Sequence, residues 1–303
     1  MTMKMILIAV LASVTAVPAA NAFDLNDLNN VIKQLPANVV NQNTTNTTDK
    51  AGSNNAGDTK IDPATVLLGA LKQNSVDDEV QIGRQLAGNL LGASPLVKDA
   101  RLQHYVNEVG RWVALQSERP DLPWQFGVIE SNDINAFSAP GGYVFITKGL
   151  YRKLNNESEL AGVLGHEIAH VVRKHQLKIM QQSQFIGLGA QALGREVNGQ
   201  QTIQNLIGSG AEIMSRKLDK NAEFEADRMG LVLAARAGYD AYGLPAVLEE
   251  IGHVAPGDSS VALLFKTHPA PDVRFSMLSE AVGDRLDNLP PGKELANRFY
   301  HIK

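Results

Sequence analysis

Apolar positions recur with a helical period along much of this chain. Glu79 to Leu91 and Leu102 to Leu115 carry them at i, i+3 and i+4, with Leu102, Tyr105, Val106, Val109 and Val113 marking the second face. Both stretches read as helices, and His104 falls off that face as a surface histidine. Trp124 to Glu130 alternates in the strand manner and runs into turn-forming Ser131-Asn132-Asp133. From Ile134 to Thr147 two strand-like runs flank Pro140-Gly141-Gly142, which predicts a hairpin. Leu160, Val163, Leu164, Ile168 and Val171 then spread apolar surface over a largely buried helix. Asn156 or Ser158 can cap it, with Glu157 and Glu159 in its first turn. The helix is expected to continue through Lys174, which would point His175 about 140° away from His170.

The later pattern is less regular. Residues 179–218 are rich in Gly, Ala, Gln and Ser, and read as one or two loosely specified helices. They form either a packed helical hairpin or a mobile cover. Helices follow at Arg228 to Ala237 and from near Pro245 to Ile251. Thr267 to Asp272 is a stiff loop, and Pro271 suits the first position of a last helix with Phe275, Leu278 and Val282 as its apolar face. Helices with one small sheet make this an α+β chain.

The ends of the chain carry different information. Met1 to Ala22, with Lys4 as its one charge, an apolar run and the small-x-small site Ala20-Asn21-Ala22, reads as a cleavable secretory signal. Residues 23–60 form a flexible N-terminal segment, polar and without apolar period from Gln42 to Lys60. Residues 61–290 have the composition of one domain, and 291–303 are a short tail with no readable pattern. The absence of cysteine excludes disulfides and a lipid-modified N-terminal cysteine. A net charge of −4 without a basic cluster argues against nucleic acid and anionic membrane as partners, and no apolar run is long enough for a transmembrane anchor.

Within the buried helix stands His166-Glu167-Ile168-Ala169-His170. Residues four apart share a helix face, so both imidazoles can reach one metal ion, while Glu167 comes near it without having to bind. Two neutral nitrogen ligands with a base beside them suit a zinc hydrolase. Zinc needs a third protein ligand, and Asn221 to Asp227 offers it. Glu223 and Asp227 share a face and Glu225 points elsewhere, which makes Glu223 the ligand and Asp227 an acceptor for a histidine N–H. A helix start with acids near its dipole has the same pattern, so this segment alone does not decide.

Taken together, HEIAH, the preceding NAF…PGG…GL segment and EFEAD about fifty residues on resemble the gluzincin zinc metalloprotease family of the HtpX heat-shock protease and CAAX prenyl protease type. The likeness runs toward its soluble periplasmic branch, the BepA and LoiP type, over roughly Glu79 to Leu278. The resemblance implies a zincin-like fold with the sheet beside the HExxH helix and one zinc per chain on His166, His170 and Glu223. It also implies Glu167 as catalytic base and Asp227 behind the ligands. A similar HP…R segment in the family brings Arg274 near the substrate, where it would help stabilise the oxyanion; by itself Arg274 reads as a surface charge. The chain departs from relatives in having no transmembrane helix and no helical-repeat tail.

The expected function is therefore a periplasmic zinc endopeptidase acting on unfolded or misassembled envelope proteins, as part of protein quality control. An extended substrate would pair with the strand that starts at Asn135 and Ala136. His268, between Thr267 and Pro269, is expected either to fill the fourth zinc position in the resting enzyme or to cap the neighbouring helix. A chaperone with a latent protease site and a zinc amidase acting on cell-wall peptide are the rival readings.

Overall fold

A computed structural model describes residues 75–181, 219–255, 257–286 and 291–302. The expected signal, the N-terminal segment and most of residues 179–218, with the question of a cover, lie outside the described residues. Helix α1 (Val76–Ala93) starts at a capping box made by Ser75 and Asp78. Helix α2 (Ala100–Ala114) is capped by Asp99 and buries Leu102, Val106, Val109 and Val113, the face read from the sequence. Strands β1 (Gln125–Ile129), β2 (Ala136–Ala139) and β3 (Tyr143–Thr147) follow, then the short α3 (Lys148–Tyr151) and α4 (Glu157–Val172). Helices α5 (Lys220–Arg236), α6 (Gly243–Gly252), α7 (Ala262–Thr267) and α8 (Pro271–Val282) follow later in the chain. Among the described residues no helix is long and apolar enough to cross a membrane.

The sheet has the order β1-β3-β2, with β3 parallel to β1 and antiparallel to β2. The hairpin turns at Gly141 and Gly142, whose φ values of +76° and +100° suit glycine. A side chain on Gly141 would also strike the Val80 backbone of α1 at 2.5 Å.

Helix α4 is the centre of the molecule, with all 16 of its residues buried. Its apolar side joins α2, β1 and β3 in the main core through Leu160, Leu164 and Ile168. Its other side meets α5 backbone to backbone: a Cβ on Gly165 would lie 2.7 Å from the Gly230 carbonyl oxygen, and one on Gly230 would lie 2.5 Å from the His166 nitrogen. This glycine crossing brings the two acid- and histidine-bearing helices close enough to share a site.

Residues after Pro290, which carry no readable pattern, anchor the start of α4. Phe299 stacks on Tyr151 at 5.1 Å between ring centres. Arg298 donates twice to Glu157, at 2.8 and 2.6 Å, and the hydroxyls of Tyr105 and Tyr239 donate to the same carboxylate at 2.9 and 2.8 Å. Glu157, expected only as an acid near the helix dipole, is a fully buried carboxylate with four donated hydrogen bonds.

Two expectations fail here. Helix α4 does not run through Lys174: it ends at Val172, and Lys174 takes a left-handed φ of 58°. The turn is held from outside, since Lys174 and Arg119 both pair with buried Glu79, and Arg173 pairs with Glu118 and Glu225. His175 is thereby folded back toward His170 instead of away from it. In α8 the expected apolar face is also displaced. Phe275 is exposed while Arg274 is buried beside Leu278, because Arg274 finds a charge partner in the interior.

Candidate metal centre

His166 and His170 lie one turn apart on α4, and their Nε2 atoms converge to 3.0 Å. Glu223, in the first turn of α5, puts its carboxylate 3.7 Å from His166 Nε2 and 3.6 Å from His170 Nε2. His268, at the end of α7, approaches the same carboxylate at 3.9 Å. One ligand atom from each of the four lies within 4.8 Å of the others, and all four residues are buried. A tetrahedral zinc with bonds of about 2.1 Å sets its ligand atoms roughly 3.4 Å apart, so the spacing fits such an ion.

The strongest sign of a cation is Glu223 itself. Both its carboxylate oxygens are buried, with no hydrogen-bond donor among the described residues. Burial pushes this carboxyl up to about 7, although His166 and Arg274 pull it down. A buried anion without donors is costly, and a cation among these imidazoles would remove the cost. Burial, with the positive neighbourhood of His166, holds His170 well below the usual imidazole range; burial and Arg274 do the same for His268. Both rings are thus neutral, the form that ligates metals.

The surroundings orient these groups. Asp227 accepts from His166 Nδ1 at 2.9 Å, as the i, i+4 spacing from Glu223 suggests. Arg274 grips Asp227 through Nε at 3.0 Å and Nη2 at 2.5 Å, and Nη2 lies 3.2 Å from His166 Nδ1. Burial alone would raise the Asp227 carboxyl, but Arg274 and His166 outweigh it and hold it well below the carboxylate range. Glu225 points to the other side of α5, toward Arg173 and His175. Thr267 Oγ1 bonds the carbonyls of Leu263 and Leu264 and lies 2.8 Å from His268 Nδ1. With its proton given to those carbonyls, the hydroxyl accepts from Nδ1–H, and His268 Nε2 keeps its lone pair toward the cluster.

Glu167 is buried beside the ligands without a position among them. Burial raises its carboxyl, opposed by His166 and by a hydrogen bond from Ser138 of β2. Ser138, Thr267 and His175 are site residues that sequence reasoning missed: Ser138 reaches Glu167 from β2, His175 returns to His170 over the turn at Lys174, and Thr267 meets the ring of its neighbour His268. Asn135 is placed differently from expectation. Its backbone N–H donates to Thr147 Oγ1 and its carbonyl accepts from the Thr147 N–H, so its backbone faces β3 rather than an incoming strand. By the antiparallel alternation, the outward backbone groups of β2 belong to Ala136 and Ser138.

Comparison with known proteins agrees with this arrangement. Residues 100–282 match the model of peptidase family M48. The chain is 30% identical over 210 residues to the β-barrel assembly-enhancing protease of Escherichia coli K12, covering 67% of this chain and 43% of that protein. It is 28% identical over 237 residues to the putative β-barrel assembly-enhancing protease of Vibrio cholerae, covering 75% and 48%. It is also 32% identical over 182 residues to the mitochondrial metalloendopeptidase OMA1 of Schizosaccharomyces pombe, covering 58% and 52%. The chain spans about half the length or less of these relatives. Since the family match covers more than half of the chain and takes in α4, α5 and α8 with every residue of the cluster, this protein belongs to peptidase family M48.

Proposed function

We propose that this protein is a zinc-dependent endopeptidase of the periplasm that cleaves unfolded or misassembled envelope proteins. The observation that carries the proposal is the carboxylate of Glu223, without a donor among the described residues, facing the imidazoles of His166, His170 and His268. The signal-like pattern of Met1 to Ala22 and the β-barrel assembly named in the relatives support the compartment and the substrate class.

His166, His170 and Glu223 would hold the ion. A zinc bound there supplies Lewis acidity, acidifying water and polarising a peptide carbonyl. Glu167 takes the proton of the attacking water and returns it to the leaving amide nitrogen. Its raised carboxyl suits both directions of transfer, and Ser138 keeps it aimed. Asp227 fixes the tautomer of His166 by accepting its Nδ1–H. Arg274 holds Asp227 with Nε and Nη2, which leaves Nη1 as the donor for a developing oxyanion.

Substrate would add an extended strand to the edge of β2 through the backbone of Ala136 and Ser138. The side-chain amide of Asn135 is buried with both polar atoms unpartnered among the described residues, and it adds a hydrogen-bonding group to that stretch. A small cavity, of about the size of one water molecule, lies where β2 ends and is lined by Ser138, Pro140, His170, Lys174 and Leu177.

His268 gives substance to a second reading, that of an assembly factor whose protease is latent. Its Nε2 completes the four-residue cluster, so in the resting state it would occupy the position that water and substrate need. Glu167→Gln separates the two. An endopeptidase loses casein hydrolysis by roughly 10²–10⁴-fold while retaining about one zinc per chain and its native melting curve, and the variant captures envelope proteins that the wild type releases. An assembly factor keeps its cellular function in the same variant. Loss of zinc together with activity would show that the role of Glu167 has been misread.

A further inference from the structure

His166 has an obvious support in Asp227, yet among the described residues no carboxylate stands on His170 Nδ1. What stands there is His175, with Nδ1 to Nδ1 at 2.8 Å and the two rings 68° apart. Two ring nitrogens at that distance need one proton between them. If His170 uses Nε2 for the ion, as the convergence on His166 Nε2 indicates, its Nδ1 carries the proton and donates it. His175 Nδ1 is then the acceptor, and its own proton sits on Nε2. That nitrogen faces Glu225 Oε2 at 3.5 Å. Glu225 is braced in turn by Arg173, whose Nε lies 2.9 Å away in an ion pair with poor hydrogen-bond alignment, and Arg173 donates to Glu118 at 3.0 and 3.3 Å.

We infer that His175 is a positioning residue of the metal centre: it accepts the Nδ1–H of His170, so fixing its tautomer and ring plane, and ties that ligand through Glu225 to the Arg173 turn. The inference rests on the zinc reading of the site. It also explains the backbone. Lys174 holds a left-handed conformation that is unfavourable for any residue with a Cβ, and the surrounding ion pairs sustain it. What that conformation achieves is to bring a side chain five residues past His170 back onto its ring. A helix continued through Lys174 would leave His170 Nδ1–H buried without an acceptor.

The test compares His175→Leu with His175→Asn in the full chain. Leucine fills similar space and accepts nothing, whereas the asparagine Oδ1 falls where the imidazole Nδ1 lies and can accept the same proton. Zinc affinity is measured by competition with a chromophoric chelator, metal-free melting temperature separately, and the visible absorption of the cobalt-substituted protein reports ligand geometry. His175→Leu is expected to bind zinc about 10- to 100-fold more weakly, with a changed cobalt spectrum, and His175→Asn to recover most of both. Equal zinc affinity and an unchanged cobalt spectrum in His175→Leu would overturn the inference, even if its melting temperature falls. So would an asparagine variant no better than leucine. A wild-type chain that takes up neither zinc nor cobalt would instead refute the zinc endopeptidase reading.

Discussion

Replacing Glu223 with glutamine should have opposite signs in the metal-free and the metal-loaded protein. In the metal-free chain the carboxylate is fully buried, with no hydrogen-bond donor on either oxygen among the described residues. Its carboxyl is raised from 4.5 to about 7. At about 1.4 kcal/mol per pH unit, that makes the ionised group on the order of 3 kcal/mol more costly in the fold than in water at pH 8. Glutamine is nearly isosteric and uncharged, and its amide still lacks full hydrogen bonding, so a net gain of about 1–3 kcal/mol is expected. For a domain of this size that is a rise of roughly 2–10 °C in melting temperature. The sign with pH follows from the raised carboxyl: the penalty is absent below about 4.5, where the carboxyl is protonated folded and unfolded, grows between about 4.5 and 7, and stays at its full size above that. The advantage of Glu223→Gln should therefore shrink between pH 8 and pH 5. With saturating zinc the order reverses, because the wild type gains binding energy that the variant has largely lost. Thermal melts of both chains with chelator and with zinc, at pH 8 and pH 5, decide the matter. If Glu223→Gln destabilises the metal-free protein at pH 8, the carboxylate has a partner within the fold and the argument for a cation fails.

Other outcomes follow from the same geometry. His268→Ala should raise basal peptidase activity with zinc retained on His166, His170 and Glu223; unchanged or lower activity would show that His268 only packs against Thr267. Asp227→Ala should weaken zinc binding by about 10–100-fold in chelator competition, since it frees His166 Nδ1 and leaves Arg274 buried without its partner. Glu225→Ala should keep zinc with a much smaller loss, and equal losses in the two variants would contradict the distinct roles of the α5 faces. Gly230→Ala must displace α5 from the His166 backbone, 2.5 Å from the added Cβ, so zinc affinity and stability should fall together, stability by about 1–3 kcal/mol. A variant with wild-type zinc affinity would show that the glycine crossing does not set the site.

What the sequence could determine is local and periodic. Apolar spacing placed α2, the β2–β3 hairpin and the buried α4, because a helix or strand face is a property of neighbouring residues. The i, i+4 rule put His166 with His170 and Glu223 with Asp227, and it turned Glu225 away, since each pair sits on one continuous helix. The same rule misjudged His175, because it assumes that the helix goes on. Whether α4 continued past Val172 was decided by Glu79, Glu118, Glu225 and Arg119, charges far away in the chain that hold the Arg173-Lys174 turn. Arg274 and Phe275 exchanged their expected surroundings for a similar reason: burying a charge is favourable only where a partner is fixed, and Asp227 lies on another helix. The packing of Phe299 and Arg298 onto the start of α4 left no periodic trace either. Spacing along one element fixes which side chains can act together, but contacts between elements, whose energies depend on distances the chain order does not encode, decide where each element stops and which groups complete the site.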